Sequence, residues 1–429
     1  MPIDTAVTGA IPRQPALSRV IIAATIGNVL EWFDFLVYGY FAVTIAEVFF
    51  PTGNPIVSLL ITFGAFGLAY VVRPLGALIV GSYTDRHGRK AGLTLSIGMM
   101  MIGTTMMLVT PGYATIGIAA PIIITIARLL QGFSVGGEFG SAVAFLVEHG
   151  SERKGFSASW QWASTGIISI IVATFGIVLT TTLTHEQLVS WGWRIPYVFG
   201  LLVGPAGLYI RSQMTETPQF LDAAKPESVP LRDLLRRQPM SVLLALGISI
   251  ISNSSYYLLL YVPTYGVNTL HLPASTGFIA TLVGGIILAI FSPVAGHWSD
   301  KTARPRIMLW TGWLFLLAAY PVFWLMVAYP SLATAIFAVG LLNLIKAGYS
   351  GVLPSLLSEQ FPVETRAVGV AFSYSISVTI FGGFAPFVAT WLIALTGDPL
   401  SPSYYLMFTA LLSIVALMAV ERRAARSAL

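Results

Sequence analysis

Twelve apolar runs separated by short polar loops divide the 429-residue chain from end to end. The runs fall at about 19–48, 56–82, 91–110, 115–147, 156–183, 194–211, 240–268, 276–298, 306–328, 332–357, 367–395 and 403–421. A membrane-spanning helix takes about 20 mostly apolar residues, so each run is long enough, or nearly so, to cross. Several are too long to cross upright, which predicts tilt or extension beyond the bilayer. Gly and Pro occur inside many of them; membrane helices tolerate this because their neighbours satisfy the freed backbone groups. The first run is too long for a signal-peptide core and has no small-residue cleavage site, so it reads as the first helix. The pattern predicts an all-α membrane protein of twelve transmembrane helices.

The polar loops alternate in charge. One set contains "TDRHGRK", "EHGSERK", the stretch 211–239, "SDKTARPR", "EQFPVETR" and the tail "ERRAARS". The other contains "FFPTGNP", "TPGYATIG", "LHLPAS", "AYPS" and "TGDPLS", with no Lys or Arg, and "THEQLVSWGWR", with Arg194 alone. Nineteen of the 23 basic residues lie on the first side; Arg73, Arg128 and Lys346 lie within helices. The positive-inside rule then puts both termini in the cytoplasm, with the chain in the cell inner membrane. Residues 1–18 read as a cytoplasmic tail, 19–211 as a six-helix bundle, 212–239 as a cytoplasmic linker, 240–421 as a second six-helix bundle and 422–429 as a tail. A short amphipathic helix is expected at "LRDLLRR" in the linker.

Composition agrees. The chain is 56% hydrophobic and 10% charged, too little charge to cover a soluble protein of this length. Its net charge of +5 does not point to nucleic acid, because the charges sit in loops between apolar runs. The absence of cysteine excludes disulfides and thiol catalysis. No metal-ligand spacing, nucleotide loop or nucleophile elbow supports an enzyme, and no cofactor or metal is expected.

The halves repeat. "GSYTDRHGRK" begins at Gly81 and "GHWSDKTARPR" at Gly296; each has an Asp four residues on, followed by a basic residue. Glu148 and Arg153 recur as Glu359 and Arg366 after the fourth helix of each half. The offsets of 211–215 residues are nearly constant, as a duplicated six-helix unit requires.

Six charges lie inside helices: Glu31, Asp34, Arg73, Arg128, Glu138 and Lys346. A charge at a helix centre costs about 2.5–3.5 kcal/mol on insertion scales, so such residues need a reason. The balance of three acids and three bases suggests pairing across helices, and Arg73 reads as a structural partner of that kind. Asn28, Glu31, Asp34 and Tyr38 form one polar stripe at helical spacing. A carboxylate in a dry site can take up and release a proton near neutral pH, so Asp34, and next Glu31, are expected proton carriers. Arg128 and Gln131 share a face of the fourth helix. A guanidinium there could hold an anionic substrate, or hold Asp34 until a proton arrives. The Gly132, Gly136 and Gly140 stripe reads as close helix packing. The second half offers Lys346 with Asn343 and Tyr349, and Asn253, Tyr256, Tyr257, Tyr261 and Tyr265. Gln161, Ser164, Thr165 and Ser169 could line the same cavity. The expected substrate-binding set is Arg128, Lys346, Asn28, Gln131, Tyr38, Asn253, Tyr257, Tyr349 and Gln161.

"GSYTDRHGRK" resembles the loop between helices 2 and 3 of the major facilitator superfamily, and "RLLQGFSVGGEFG" resembles its helix 4 motif. "GNVLEWFDFLVYGYF", "RPLGA" and "WGWRIP" together resemble the metabolite:proton symporter family within it, whose members include transporters of citrate, 2-oxoglutarate, shikimate, and betaine or proline. The resemblance implies two six-helix bundles related by a pseudo-twofold axis, a central cavity near the midplane, and alternating access by rocking of the bundles. It also implies gating roles for Gly81, Asp85, Arg86, Arg89 and Asp300, and for Glu148, Arg153, Glu359 and Arg366.

The function expected is proton symport of a small organic anion, a di- or tricarboxylate such as citrate or tricarballylate, by a monomer in the bilayer. One cation in each half, Arg128 and Lys346, would suit separated carboxylates. The alternatives are a zwitterion such as betaine or proline, for which Trp32, Trp160 and Trp162 could build an aromatic cage, and a monoacid such as shikimate. A channel would show no counterflow, and the duplicated gating motifs argue against it.

Overall fold

The computed structural model describes residues 17–87, 89–136, 153–212, 231–362 and 365–427, with positions 140, 142, 143, 146 and 147. The side chains of Glu31, Asp85, Arg86 and Arg89 and the position Gly81 lie outside what it describes beyond their helical backbone; Glu138 and Glu148 lie outside it altogether.

The first half contains α1 (Leu17–Tyr40), α2 (Ala42–Phe49), α3 (Pro55–Val71), α4 (Arg73–His87), α5 (Arg89–Val109), α6 (Tyr113–Ile116), α7 (Ala119–Ser134), α8 (Lys154–Thr182), α9 (His185–Ser190) and α10 (Ile195–Ser212). The second contains α11 (Leu231–Arg237), α12 (Pro239–Leu260), α13 (Val262–Asn268), α14 (Ala274–Ser299), α15 (Arg304–Ala328), α16 (Leu332–Ser350), α17 (Leu353–Glu359), α18 (Arg366–Ser377), α19 (Ala385–Thr396) and α20 (Ser401–Ser427). A π-helical turn, Val378–Gly383, joins α18 to α19.

These elements account for twelve spans. Eight are long and apolar enough to cross a membrane, α1 and α2 form a ninth bent by 76° at Phe41, α5 and α7 contribute shorter apolar stretches, and α10 completes the set. Several expected continuous runs are thus interrupted. Four breaks have one cause: Val72, Tyr261, Val352 and Phe384 each stand two residues before a proline, at Pro74, Pro263, Pro354 and Pro386. Proline has no N–H to continue the helical ladder, and its ring crowds the preceding turn. The run expected at 115–147 is interrupted where α7 ends at Ser134, and the described positions 140, 142, 143, 146 and 147 beyond it are again helical. The linker helix forms at Leu231–Arg237, burying Leu234 and exposing Arg236 and Arg237. Helix starts follow ordinary capping. The Asn54 side chain accepts from the Ile56 and Val57 amides, and Thr184 with Gln187 and Ser331 with Thr334 form capping boxes.

The most extensive helix packing joins the halves, α8 against α14. Close approach requires glycine along its whole length. A Cβ on Gly155 would meet Gly296 and Asp300, one on Gly166 would meet the backbone of Gly285 and Ala289, and one on Gly176 would meet the Phe278 ring. The second seam runs between α3 and the α18–α19 segment, where Gly67 faces Phe384 and Gly383 faces Tyr70. Large apolar side chains such as Leu202, Trp310 and Leu317 remain exposed on the outer faces, as a hydrocarbon surround allows.

Candidate functional site

Between the halves lies a cavity of about 20 Å³, room for about one water molecule. Asn28 and Trp32 of α1 and Gln161, Trp162 and Thr165 of α8 line one side; Tyr256 and Tyr257 of α12 and Tyr374 of α18 line the other. Its polar rim is braced. Asn28 donates to Ser164 Oγ at 2.6 Å and accepts from Gln161 Nε2 at 2.9 Å. Tyr70 donates to Tyr257 Oη at 2.6 Å, a direct bond between bundles.

Among the described residues, contacts join the two halves on either side of this cavity. At one end, Phe41 packs against Phe278 (ring centroids 5.3 Å) and Phe63 against Tyr261 (5.6 Å). At the basic-loop end, the Asp300 carboxylate accepts from the first amides of α8, Gly155 N at 2.7 Å and Phe156 N at 3.0 Å. A carboxylate on unsatisfied N–H groups at a helix start is a favourable charge–dipole arrangement. Arg304 joins Asp300 (3.0 Å) to Glu359. Glu359 therefore pairs with Arg304, while Arg366 donates to the Ser358 carbonyl at 3.0 Å. Arg153 is exposed and precedes α8. A substrate larger than water fits only if the cavity widens.

Beside the cavity, within the first bundle, a chain of hydrogen bonds ends on Asp34. Arg128 Nη1 donates to Gln131 Oε1 (2.7 Å), Gln131 Nε2 donates to Thr104 Oγ1 (3.1 Å), and Thr104 donates to Asp34 Oδ2 (2.8 Å). All four residues are buried. Asp34 Oδ1 has no partner among the described residues and faces Gly200 of α10, where a Cβ would overlap the carboxylate. Arg128 also donates to the Phe35 carbonyl at 3.3 Å. Its guanidinium is walled by the rings of Phe35 (4.1 Å), Tyr38 (4.6 Å) and Phe66 (5.3 Å). Tyr38 donates to the Thr62 carbonyl, and Phe66 packs on Tyr257 at 5.9 Å, so the Arg128 cage shares a wall with the cavity.

In the second bundle Lys346 is fully buried. Its Nζ donates to the Ser252 carbonyl at 2.7 Å, lies within 3.3 Å of Ser350 Oγ and 3.5 Å of Ser255 Oγ, and sits 4.1 Å from the Trp162 ring centroid. No acid pairs with it among the described residues. Asn253 donates to Ser377 Oγ with its Oδ1 unpartnered, and Tyr349 donates to the Ile248 carbonyl.

The structure thus gathers Asn28, Gln161 and Tyr257 at the cavity and puts Lys346 against a tryptophan of its wall. Arg128, Gln131 and Tyr38 go with Asp34 in the neighbouring network, and Asn253 and Tyr349 lie within the second bundle. Thr104, Tyr374 and Gly200 were not anticipated. Thr104 stands in the Met-rich "GMMMIGTTMML", where no polar stripe marks it.

The Major Facilitator Superfamily model matches residues 24–342. A citrate-proton symporter of Klebsiella pneumoniae is 35% identical over 410 residues, covering 94% of this chain and 92% of its own. A proline/betaine transporter of Salmonella typhimurium is 36% identical over 429 residues, covering 96% and 84%. Among solved structures, the partially occluded inward-open xylose transporter XylE from E. coli superposes with a TM-score of 0.73 at 15% identity, over 95% of this chain and 97% of its own.

Proposed function

This chain belongs to the Major Facilitator Superfamily, and from that premise we propose that it takes up a small organic acid, a di- or tricarboxylate, together with protons by alternating access. The observation that carries the reading is Lys346, a buried ammonium against the cavity wall with no acid beside it among the described residues. A desolvated cation of this kind is costly unless an anion meets it. The resemblance to a citrate-proton symporter supports the same class.

Asp34 is the proton carrier in this reading. Charged, it accepts a charge-assisted bond from Thr104; protonated, it loses that charge and becomes a weaker acceptor, so the bond from Thr104 slackens. Gln131 and Arg128 then lose the carboxylate at the end of their chain. The Arg128 cage packs on cavity residues, so the proton's arrival is felt where substrate binds. Glu31 is the second candidate carrier. Asp300, Arg304 and Glu359 act as the inner gate, released when the bundles rock.

One observation favours a second reading, a zwitterion such as betaine: five of the eight cavity-lining residues are aromatic, and aromatic faces hold quaternary ammonium groups. Thermal-shift titration of the purified protein with citrate, tricarballylate, succinate, shikimate and glycine betaine separates the two. Stabilisation by the polycarboxylates is expected; stabilisation by betaine alone replaces the organic-acid reading with the second.

A further inference from the structure

The first bundle holds another guanidinium that the Asp34 network does not use. Arg73 is fully buried at the start of α4. Its Nη2 lies 3.5 Å from the Val135 carbonyl, the outer limit of a hydrogen bond. Its Nε and Nη1 have no partner among the described residues. The group is instead stacked by aromatic rings, with Trp32 at 4.7 Å and Tyr70 at 5.4 Å from centroid to Cζ. Trp32 lines the central cavity, and Tyr70 is bonded to Tyr257, which lines it too. Arg73 therefore stands one aromatic layer behind the cavity wall.

Lys346 is arranged alike from the other bundle, with Trp162 over its ammonium. In each case an indole of the wall covers a buried cation without neutralising it. Such a contact is weaker than a charge-assisted hydrogen bond, so a carboxylate can replace it. A guanidinium whose Nε and Nη1 groups have no partner among the described residues is also shaped for bidentate carboxylate binding.

We propose that Arg73 is the first-bundle carboxylate contact of the substrate site, so that a polycarboxylate is held between Arg73 and Lys346 and draws the two bundles together. This rests on the organic-acid reading above. Trp32 and Trp162 guard the two cations when the site is empty and give way to carboxylates when it fills. A monocarboxylate can satisfy only one cation.

Calorimetric titration of the full-length wild type and of Arg73→Gln, Arg73→Lys and Lys346→Gln with citrate, tricarballylate, shikimate and betaine tests this. Arg73→Gln and Lys346→Gln should each weaken citrate and tricarballylate by about tenfold or more, the worth of one charge-assisted bond. At most one of them should weaken shikimate. Arg73→Lys keeps the charge but loses the fork, and should fold with wild-type stability while binding citrate more weakly; it decides the question if the Gln variant does not fold. Citrate affinity unchanged in the folded variant, or citrate, shikimate and betaine weakened alike, overturns the assignment and makes Arg73 a structural residue. If the wild type binds betaine and no carboxylate, the organic-acid reading fails and takes this one with it. If the wild type binds citrate and the Arg73 variants bind it equally well, only the role of Arg73 falls.

Discussion

Thr104 is the narrowest point of the Asp34 network, since among the described residues its hydroxyl alone connects the carboxylate to Gln131 and Arg128. Asp34→Asn keeps the shape and removes the titration. Uphill accumulation in proteoliposomes should vanish, while substrate exchange, which needs no net proton movement, should persist. Wild-type accumulation by this variant would move the carrier role to Glu31. Thr104→Val is nearly the same size but has no hydroxyl. It strands Asp34 Oδ2 and the Gln131 amide, each at about 1–3 kcal/mol, so the melting temperature should fall and uphill uptake should drop with Asp34 still in place. Accumulation and stability both unchanged would show that the chain carries nothing. Asp34, Arg128 and Gln131 were legible in the sequence because charged and amide side chains at helical spacing stand out in an apolar run. Thr104 was not, because a threonine in a membrane helix most often bonds its own preceding turn, as Thr105 does to Met101. Only the fold shows which of two adjacent threonines turns inward.

In the proposed cycle helices must both pack tightly and part, and the α8–α14 seam shows the tight packing. The Gly166 contact is with backbone, which cannot yield as a flexible side chain would. Gly166→Val should therefore hold the bundles apart and abolish transport with the protein still folded in detergent; normal transport by this variant would mean that the closed seam is not part of the cycle. Asp300 acts at the basic-loop end of the same seam. Asp300→Asn removes a charge from a helix start, an effect of about 0.3–1 kcal/mol or more. Labelling of a cysteine placed at the buried Ser159, beside Gly296, should then speed up by about two- to tenfold. An unchanged rate would remove Asp300 from the gate. The sequence marked Asp300 through its repeat of the Asp85 motif, but it did not reveal the target, two backbone amides of a helix 145 residues away. Nor did it show that Glu359 pairs with Arg304, because the match of Glu359 and Arg366 to Glu148 and Arg153 records duplication and not contact. Breaks in the long runs were half legible. Four follow the prolines, whereas the bend at Phe41 has no proline near it.

At the scale of the whole molecule, the twelve-helix plan was the most legible feature, because a span must be apolar over its whole length and nothing later in folding can change that requirement. Orientation rests on charge. Nineteen basic residues lie on one side, and the loops opposite have a single arginine. The fold accounts for that exception. Arg194 donates to the carbonyls of Leu108 (2.9 Å), Thr110 (3.1 Å) and Ser190 (2.7 Å), and lies over the Trp193 ring. Its charge caps the ends of two helices, where the last carbonyls have no helical donor, so it does not compete with the loops that set topology. With Arg194 set aside, the asymmetry is complete and the basic side should face the cytoplasm. The chain has no native cysteine to interfere with labelling. A cysteine at Gly53, in the loop after α2, should react in intact cells with a membrane-impermeant maleimide. One at Ser228, in the basic linker, should react only after the membrane is opened. Labelling of Ser228 from outside would invert the molecule. The Asp300 gate would then close the outer face, and proton entry would have to be sought from the opposite end.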